Sequence, residues 1–237
     1  MNEALRVGVI GAGWMGHVHA RAYQRVGHHY PGLTRRPILT AVADSVTSAA
    51  EALTRAFAPT HGELTAYPDW RDLLAEPGIE AVSVTAPNFL HREIGVAVAE
   101  AGKHLWIEKP VGLSREDAVA VRDAVAANGV VGIVGFNYRN VPAVARARRL
   151  IASGAIGTPT HARVQLFTDY AAHPGSPLSC RFALDRGGHG VLGDLASHGV
   201  DLVRFVLGDI DALVAQTAVH IPQRPIASTQ GHYSVID

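Results

Sequence analysis

Through residues 1–139, short apolar runs bounded by glycine, proline and asparagine alternate with longer stretches whose apolar positions recur at helical spacing. The runs at 7–10, 38–43, 81–85, 104–107 and 130–134 predict buried strands. The intervening patterns predict helices over 14–26, 46–57, 69–74, 88–101 and 114–128. Punctuation agrees with this division. Gly27-His28-His29-Tyr30-Pro31-Gly32 breaks the first helix, Gly102 stops the fourth, and Ser114 with Asp117 opens the fifth as a relative of the capping box. Strands alternating with helices imply right-handed crossovers and a parallel, doubly wound α/β sheet, with ligands at the carboxyl ends of its strands.

After Asn140 the pattern changes. Residues 141–153 form an amphipathic helix whose Arg146, Arg148 and Arg149 suit a solvated face. Strands are expected at 160–168 and 211–219, an irregular segment at 169–184, and a helix at 194–207 stopped by Gly208. The chain is therefore expected to hold a doubly wound α/β domain over 1–139 and a second, α+β domain over 140–237. Two strands are too few for an independently stable sheet, so the second domain is expected to be incomplete.

Composition narrows the partners. Of 237 residues 48% are hydrophobic and 18% charged, which suits a folded globular chain. Lys+Arg and Asp+Glu both number 21, so no net positive field attracts nucleic acid or an anionic membrane. Cys180 is the only cysteine, so neither an intrachain disulfide nor a thiolate metal cluster is expected. With no signal-peptide pattern and no membrane-length apolar run, a cytoplasmic location is the expectation.

The first strand runs straight into Gly11-Ala12-Gly13-Trp14-Met15-Gly16. Gly11 permits the tight turn, Gly13 lets backbone approach a pyrophosphate, and Gly16 lets helix and strand pack closely. Trp14 and Met15 begin the helix whose free N–H groups and positive dipole end face the phosphates. Asp44, at the end of the second strand, can accept both hydroxyls of an adenosine ribose and repel a 2′-phosphate, which favours NAD over NADP. It can also serve the start of the following helix, and one residue can contribute to both roles. Asn88, Lys109 and the segment Asn137-Tyr138-Arg139 fall at carboxyl ends of other strands.

On the helix at 194–207, Asp194, His198 and Asp201 follow i, i+4, i+7 spacing and should share one face, approached through Gly187-Gly188-His189-Gly190. Histidine suits removal of a hydroxyl proton near neutral pH. Asp201 reads as a structural hydrogen-bond partner. A zinc site at Asp194 and His198 is less favoured because cysteine ligands are absent. Lys109, between Glu108 and Pro110, can stabilise a developing alkoxide, and the Lys109–Pro110 bond is a candidate cis peptide.

With these motifs in this order the chain resembles the glucose–fructose oxidoreductase/inositol dehydrogenase (Gfo/Idh/MocA) family. The matching pieces are Gly11–Gly16 with His19, Asp44, the segment 85–91, Glu108-Lys109-Pro110, the segment 135–139 and the motif at 187–201. The resemblance implies NAD(P)-dependent hydride transfer on a secondary hydroxyl of a sugar, inositol or related polyol. It implies catalytic roles for Lys109, Asp194 and His198, and a substrate border at Tyr138 and Arg139. It places Thr85, Ala86, Pro87, Asn88, His91, Glu108 and Lys109 along the cofactor, and His19 as a structural residue beside the turn. It further implies a mostly antiparallel sheet in the second domain and a homo-oligomer, and it makes the chain look C-terminally shortened. An NAD-using glycosidase or eliminase, or a non-catalytic dinucleotide-binding module, remain alternative expectations.

Overall fold

The computed structural model describes residues 3–226 and 232–234. The chain divides between Gly135 and Phe136 into two compact units.

The first unit is a six-stranded parallel sheet in the order β3-β2-β1-β4-β5-β6. Its strands are β1 (Glu3–Ile10), β2 (Arg35–Ala43), β3 (Thr65–Tyr67), β4 (Ala81–Val84), β5 (His104–Ile107) and β6 (Gly132–Val134). The crossovers carry α1 (Trp14–His29), α2 (Thr47–His61), α3 (Trp70–Ala75), α4 (His91–Glu100) and α5 (Arg115–Ala127). This is the doubly wound order in which the chain reverses direction between β1 and β4, opening a crevice at their carboxyl ends.

Alternation along the strands gives two cores. Val82, Val84, Leu105 and Ile107 face one layer with Ile94, Val98 and Val121. Val7, Val9, Leu39 and Val42 face the other with Ala20, Leu53 and Phe57. Leu39 and Val42 share a face although three positions apart, because the ladder skips Thr40: Val7 pairs with Leu39 and Gly8 with Ala41.

Several boundaries differ from the sequence expectation. The 27–32 segment does not break α1 at Gly27; the helix continues to His29, with the Arg36 side chain packed over Gly27, and ends where the Tyr30 N–H bonds the Val26 carbonyl. Helix α2 runs through Pro59 to His61, beyond the expected stop at 57. β3 gave no pattern because three residues pairing along one edge of β2 carry too little alternation to stand out. The helix expected from Asn88 begins as a 3-10 turn, Asn88–Leu90, before α4. Ser114 caps α5 as expected, accepting from the Asp117 N–H.

In the second unit α6 (Pro142–Ala152), α7 (Leu184–Gly187) and α8 (Ser197–Leu207) are helical, and β7 (Gln223–Pro225) pairs antiparallel with β8 (His232–Ser234). The strands expected at 160–168 and 211–219 are not formed. A strand exists through its ladder, and among the described residues neither segment pairs with another. Val164, Phe167, Leu213 and Val214 are exposed there. The polar stretch after Ile221 instead supplies β7. Among the described residues no helix is long and apolar enough to cross a membrane.

Candidate active site

The glycine turn is built from backbone constraints. Gly11 has φ of +101°, a left-handed conformation that favours glycine. Its N–H bonds the Ala43 carbonyl at 2.8 Å, and its carbonyl accepts from Thr85 Oγ1 at 2.7 Å. A side chain at Gly16 would collide with the Gly11 carbonyl oxygen, while at Gly13 it would meet open space. Gly13 is the N-cap of α1 with no side-chain cap, and the first turn carries no acidic residue. These features fit a pyrophosphate: the turn is clear of side chains, and the helix end is left for an anion. Trp14 is 76% exposed beside it, and Met15 is half-buried.

Asp44 bridges two elements. Its Oδ2 accepts from the Ala12 N–H at 2.7 Å and its Oδ1 from the Val46 N–H at 2.8 Å. The carboxylate thus ties the turn to the approach of α2, and each oxygen keeps lone-pair capacity for a further donor.

The loops after β4 and β5 are locked by His91. Its ring is 1% exposed, with Nδ1 2.6 Å from the Pro110 carbonyl and Nε2 2.8 Å from the Ala86 carbonyl. It thereby fixes the Pro87-Asn88 segment and the half-buried Lys109, whose bond to Pro110 is cis. Burial pushes the His91 pKa below its ordinary 6.5, outweighing the pull of the two carbonyls. The unfolded chain then takes up a proton that the folded one resists, so stability is full above about pH 6.5 and falls as the medium acidifies. His61, also pushed down by burial, adds a slope of the same sign. The melting temperature is expected to fall between about pH 7.5 and about pH 5, by about 2–4 °C per kcal/mol linked. His91→Gln should show a shallower fall in the same thermal scan; an equal slope would remove His91 as a cause.

Glu108 is held from α1. Its Oε1 receives His19 Nε2 at 3.0 Å, His19 Nδ1 meets Ser83 Oγ at 3.0 Å, and Ser83 Oγ meets the Tyr23 hydroxyl at 2.5 Å. His19 and Tyr23 are four apart on α1 and so share the face that meets the sheet. His19 is thus buried between α1 and the sheet and wired to Glu108.

In the second unit, the helix expected over 194–207 begins as a π-helical turn, Leu192–Ala196, before α8. This corrects the simple i, i+4, i+7 face: Asp194 lies in the π turn, His198 and Asp201 in the α-helix, and the wider turn alters the angle between them. Each acquires different partners. Asp194 Oδ2 accepts from the Tyr170 hydroxyl at 2.5 Å and lies 3.7 Å from an Arg181 guanidinium nitrogen. His198, 8% exposed, stacks on Tyr138 at 4.5 Å and meets Phe136 edge-on at 5.9 Å. Asp201 accepts from Arg139 Nε at 2.7 Å and Nη2 at 2.5 Å. The expectation of a structural hydrogen-bond role for Asp201 matches this contact. The bidentate pair also raises the Arg139 pKa and fixes its guanidinium over the Phe205 ring.

Sequence reasoning missed Tyr170, Arg181 and Arg224. All lie outside any periodic pattern. Arg224, fully buried in β7, donates to the Ala171 and His173 carbonyls and lies 4.4 Å from the Phe182 ring centroid. It pins the irregular segment that carries Tyr170. Burial first, then the Asp194 carboxylate, pushes the Tyr170 phenol well above its ordinary range, so the hydroxyl stays a donor to Asp194.

A glycine turn at the carboxyl edge of a doubly wound sheet, with an acidic residue directly after β2, defines a dinucleotide-binding fold. The chain belongs to the GFO/IDH/MocA oxidoreductase family: residues 5–138 match its NAD-binding Rossmann fold and residues 144–235 its C-terminal domain. It is 39% identical over 226 residues to levoglucosan dehydrogenase of Pseudarthrobacter phenanthrenivorans, covering 95% of this chain and 57% of that protein. It is 31% identical over 208 residues to scyllo-inositol 2-dehydrogenase (NAD(+)) of Bacillus subtilis, covering 88% and 55% respectively. A solved levoglucosan dehydrogenase in complex with NADH superposes with a TM-score of 0.90 at 36% identity, covering 99% of this chain and 62% of that one. The chain thus spans just over half the length of the curated relatives it matches.

Proposed function

We propose that the chain is an NAD-dependent dehydrogenase acting on a secondary hydroxyl of a sugar, inositol or similar polyol. The uncapped glycine turn is the observation that carries this reading, and dehydrogenases of levoglucosan and inositol among the relatives support the substrate class. Residues 1–139 serve as the dinucleotide domain and 140–237 as the substrate domain, in a cytoplasmic and homo-oligomeric protein. Gly11, Gly13, Trp14, Met15 and Gly16 hold the pyrophosphate, and Asp44 the adenosine ribose. Thr85, Ala86, Pro87, Asn88, His91 and Glu108 shape the nicotinamide side. Bound NAD supplies the hydride acceptor. His198 takes the hydroxyl proton, Lys109 stabilises the oxygen, Asp194 orients both, and Tyr138 and Arg139 border the substrate; the base and oxygen-binding roles of His198 and Lys109 are interchangeable in this scheme.

The test is calorimetric binding of NADH and NADPH followed by a polyol and sugar panel read by NADH formation. NADH should bind about tenfold more tightly than NADPH, and Asp44→Ala should erase that preference. Equal affinity in the unsubstituted chain would overturn the ribose role of Asp44, and oxidation of no polyol would overturn the dehydrogenase reading.

A further inference from the structure

The buried string Tyr23–Ser83–His19–Glu108 has a direction that its chemistry dictates. An ionised carboxylate only accepts, so His19 Nε2 carries the hydrogen in its 3.0 Å bond to Glu108. In the neutral ring Nδ1 is then an acceptor, and the Ser83 hydroxyl must donate to it. The Ser83 oxygen in turn receives the Tyr23 hydroxyl hydrogen. Burial pushes the Tyr23 phenol up to about 12, which keeps it a donor. With the neutral His19 ring, the string therefore runs from Tyr23 toward Glu108. Packing reinforces the geometry: the His19 ring lies 4.2 Å from that of Trp106, and the Glu108 carboxylate occupies the space a side chain at Gly135 would need.

The string ends at an informative place. Glu108 follows β5 immediately, on the carboxyl edge, in the β4-β5-β6 half of the sheet. Asp44, at the end of β2, marks the adenosine half, so the nicotinamide half of a dinucleotide crossing the edge falls on the Glu108 side. Oxidised nicotinamide carries a positive ring charge that hydride addition removes. We propose that His19 is a positioning residue that, through Glu108, places a fixed negative charge at the nicotinamide end of the site and makes it prefer the oxidised dinucleotide. This rests on the dinucleotide site of the preceding reading and adds a redox preference to it. A network directed toward the carboxylate denies it rotamers and holds it in place.

The test is the pair of dissociation constants for NAD+ and NADH, measured by calorimetry on the chain and three variants. Glu108→Gln keeps size and removes charge; it should weaken NAD+ about tenfold and change NADH less than about twofold. His19→Leu, which removes the donor, should reproduce that selective loss. His19→Gln, whose amide N–H can replace Nε2, should retain the preference. Equal weakening of both forms, or an unchanged ratio in Glu108→Gln and His19→Leu, overturns the proposal and leaves the dinucleotide site standing. Binding of neither form by the unsubstituted chain overturns both.

Discussion

Replacing His198 with alanine is expected to lower polyol turnover by about 10²–10⁴-fold, the usual contribution of a positioned general base, while NADH affinity changes less than about twofold. The geometry makes this separation measurable. His198 lies in the second unit, buried at 8% exposure between the Tyr138 face and the Phe136 edge. The glycine turn and Asp44 belong to the first. Removing the ring also removes an aromatic stack worth about 0.5–1.5 kcal/mol, so a modest fall in melting temperature should accompany the kinetic loss. His198→Phe keeps the stack and removes the base. It should regain the thermal stability and none of the turnover, which distinguishes chemistry from packing. Initial rates followed by NADH absorbance, with calorimetric NADH binding on the same samples, give the readout. Unchanged turnover in both variants would remove His198 from the chemistry.

Most of the first unit was legible in the sequence to within a few residues because the central strands β1 and β4 are buried apolar runs and the crossovers are punctuated. The run at 104–107 matched β5 at both ends, since its neighbours Gly102 and Pro110 admit little else. Reading failed where a residue's state depends on a partner distant in sequence. The 160–168 segment alternates well enough for a strand, yet alternation supplies a face and not a ladder. β3 is three residues long and owes its extended form to β2. The site shows the same division. Gly11, Gly13, Gly16 and Asp44 have roles set by local backbone geometry and could be read directly. Tyr170 and Arg181 reach Asp194 from an irregular segment held by Arg224, more than forty residues further along the chain, and nothing periodic connects them. The π turn at Leu192–Ala196 was equally hidden, because its apolar spacing is that of an ordinary helix start.

Gly16→Ala and Gly13→Ala are expected to behave oppositely, although both change a glycine of one turn to the smallest side chain. At Gly16 the new methyl would lie 2.1 Å from the Gly11 carbonyl oxygen. That oxygen cannot easily retreat, because it accepts from Thr85 Oγ1 and the Gly11 N–H is bound to Ala43. Helix α1 must move off the sheet instead, carrying His19 and Tyr23 away from Ser83. The expected cost is about 3 kcal/mol, or about 6–12 °C in melting temperature, with NADH affinity reduced about hundredfold or more. At Gly13 the methyl meets nothing within 4 Å, and φ of −73° suits any residue. Stability should therefore stay within about 0.5 kcal/mol. Yet that empty space, over the uncapped end of α1, is where backbone must come against a pyrophosphate, so NADH affinity should still fall by about tenfold. Thermal scans and calorimetry on the two variants separate the roles. If Gly13→Ala binds NADH as the unsubstituted chain does, the space over the turn is not where the phosphates lie.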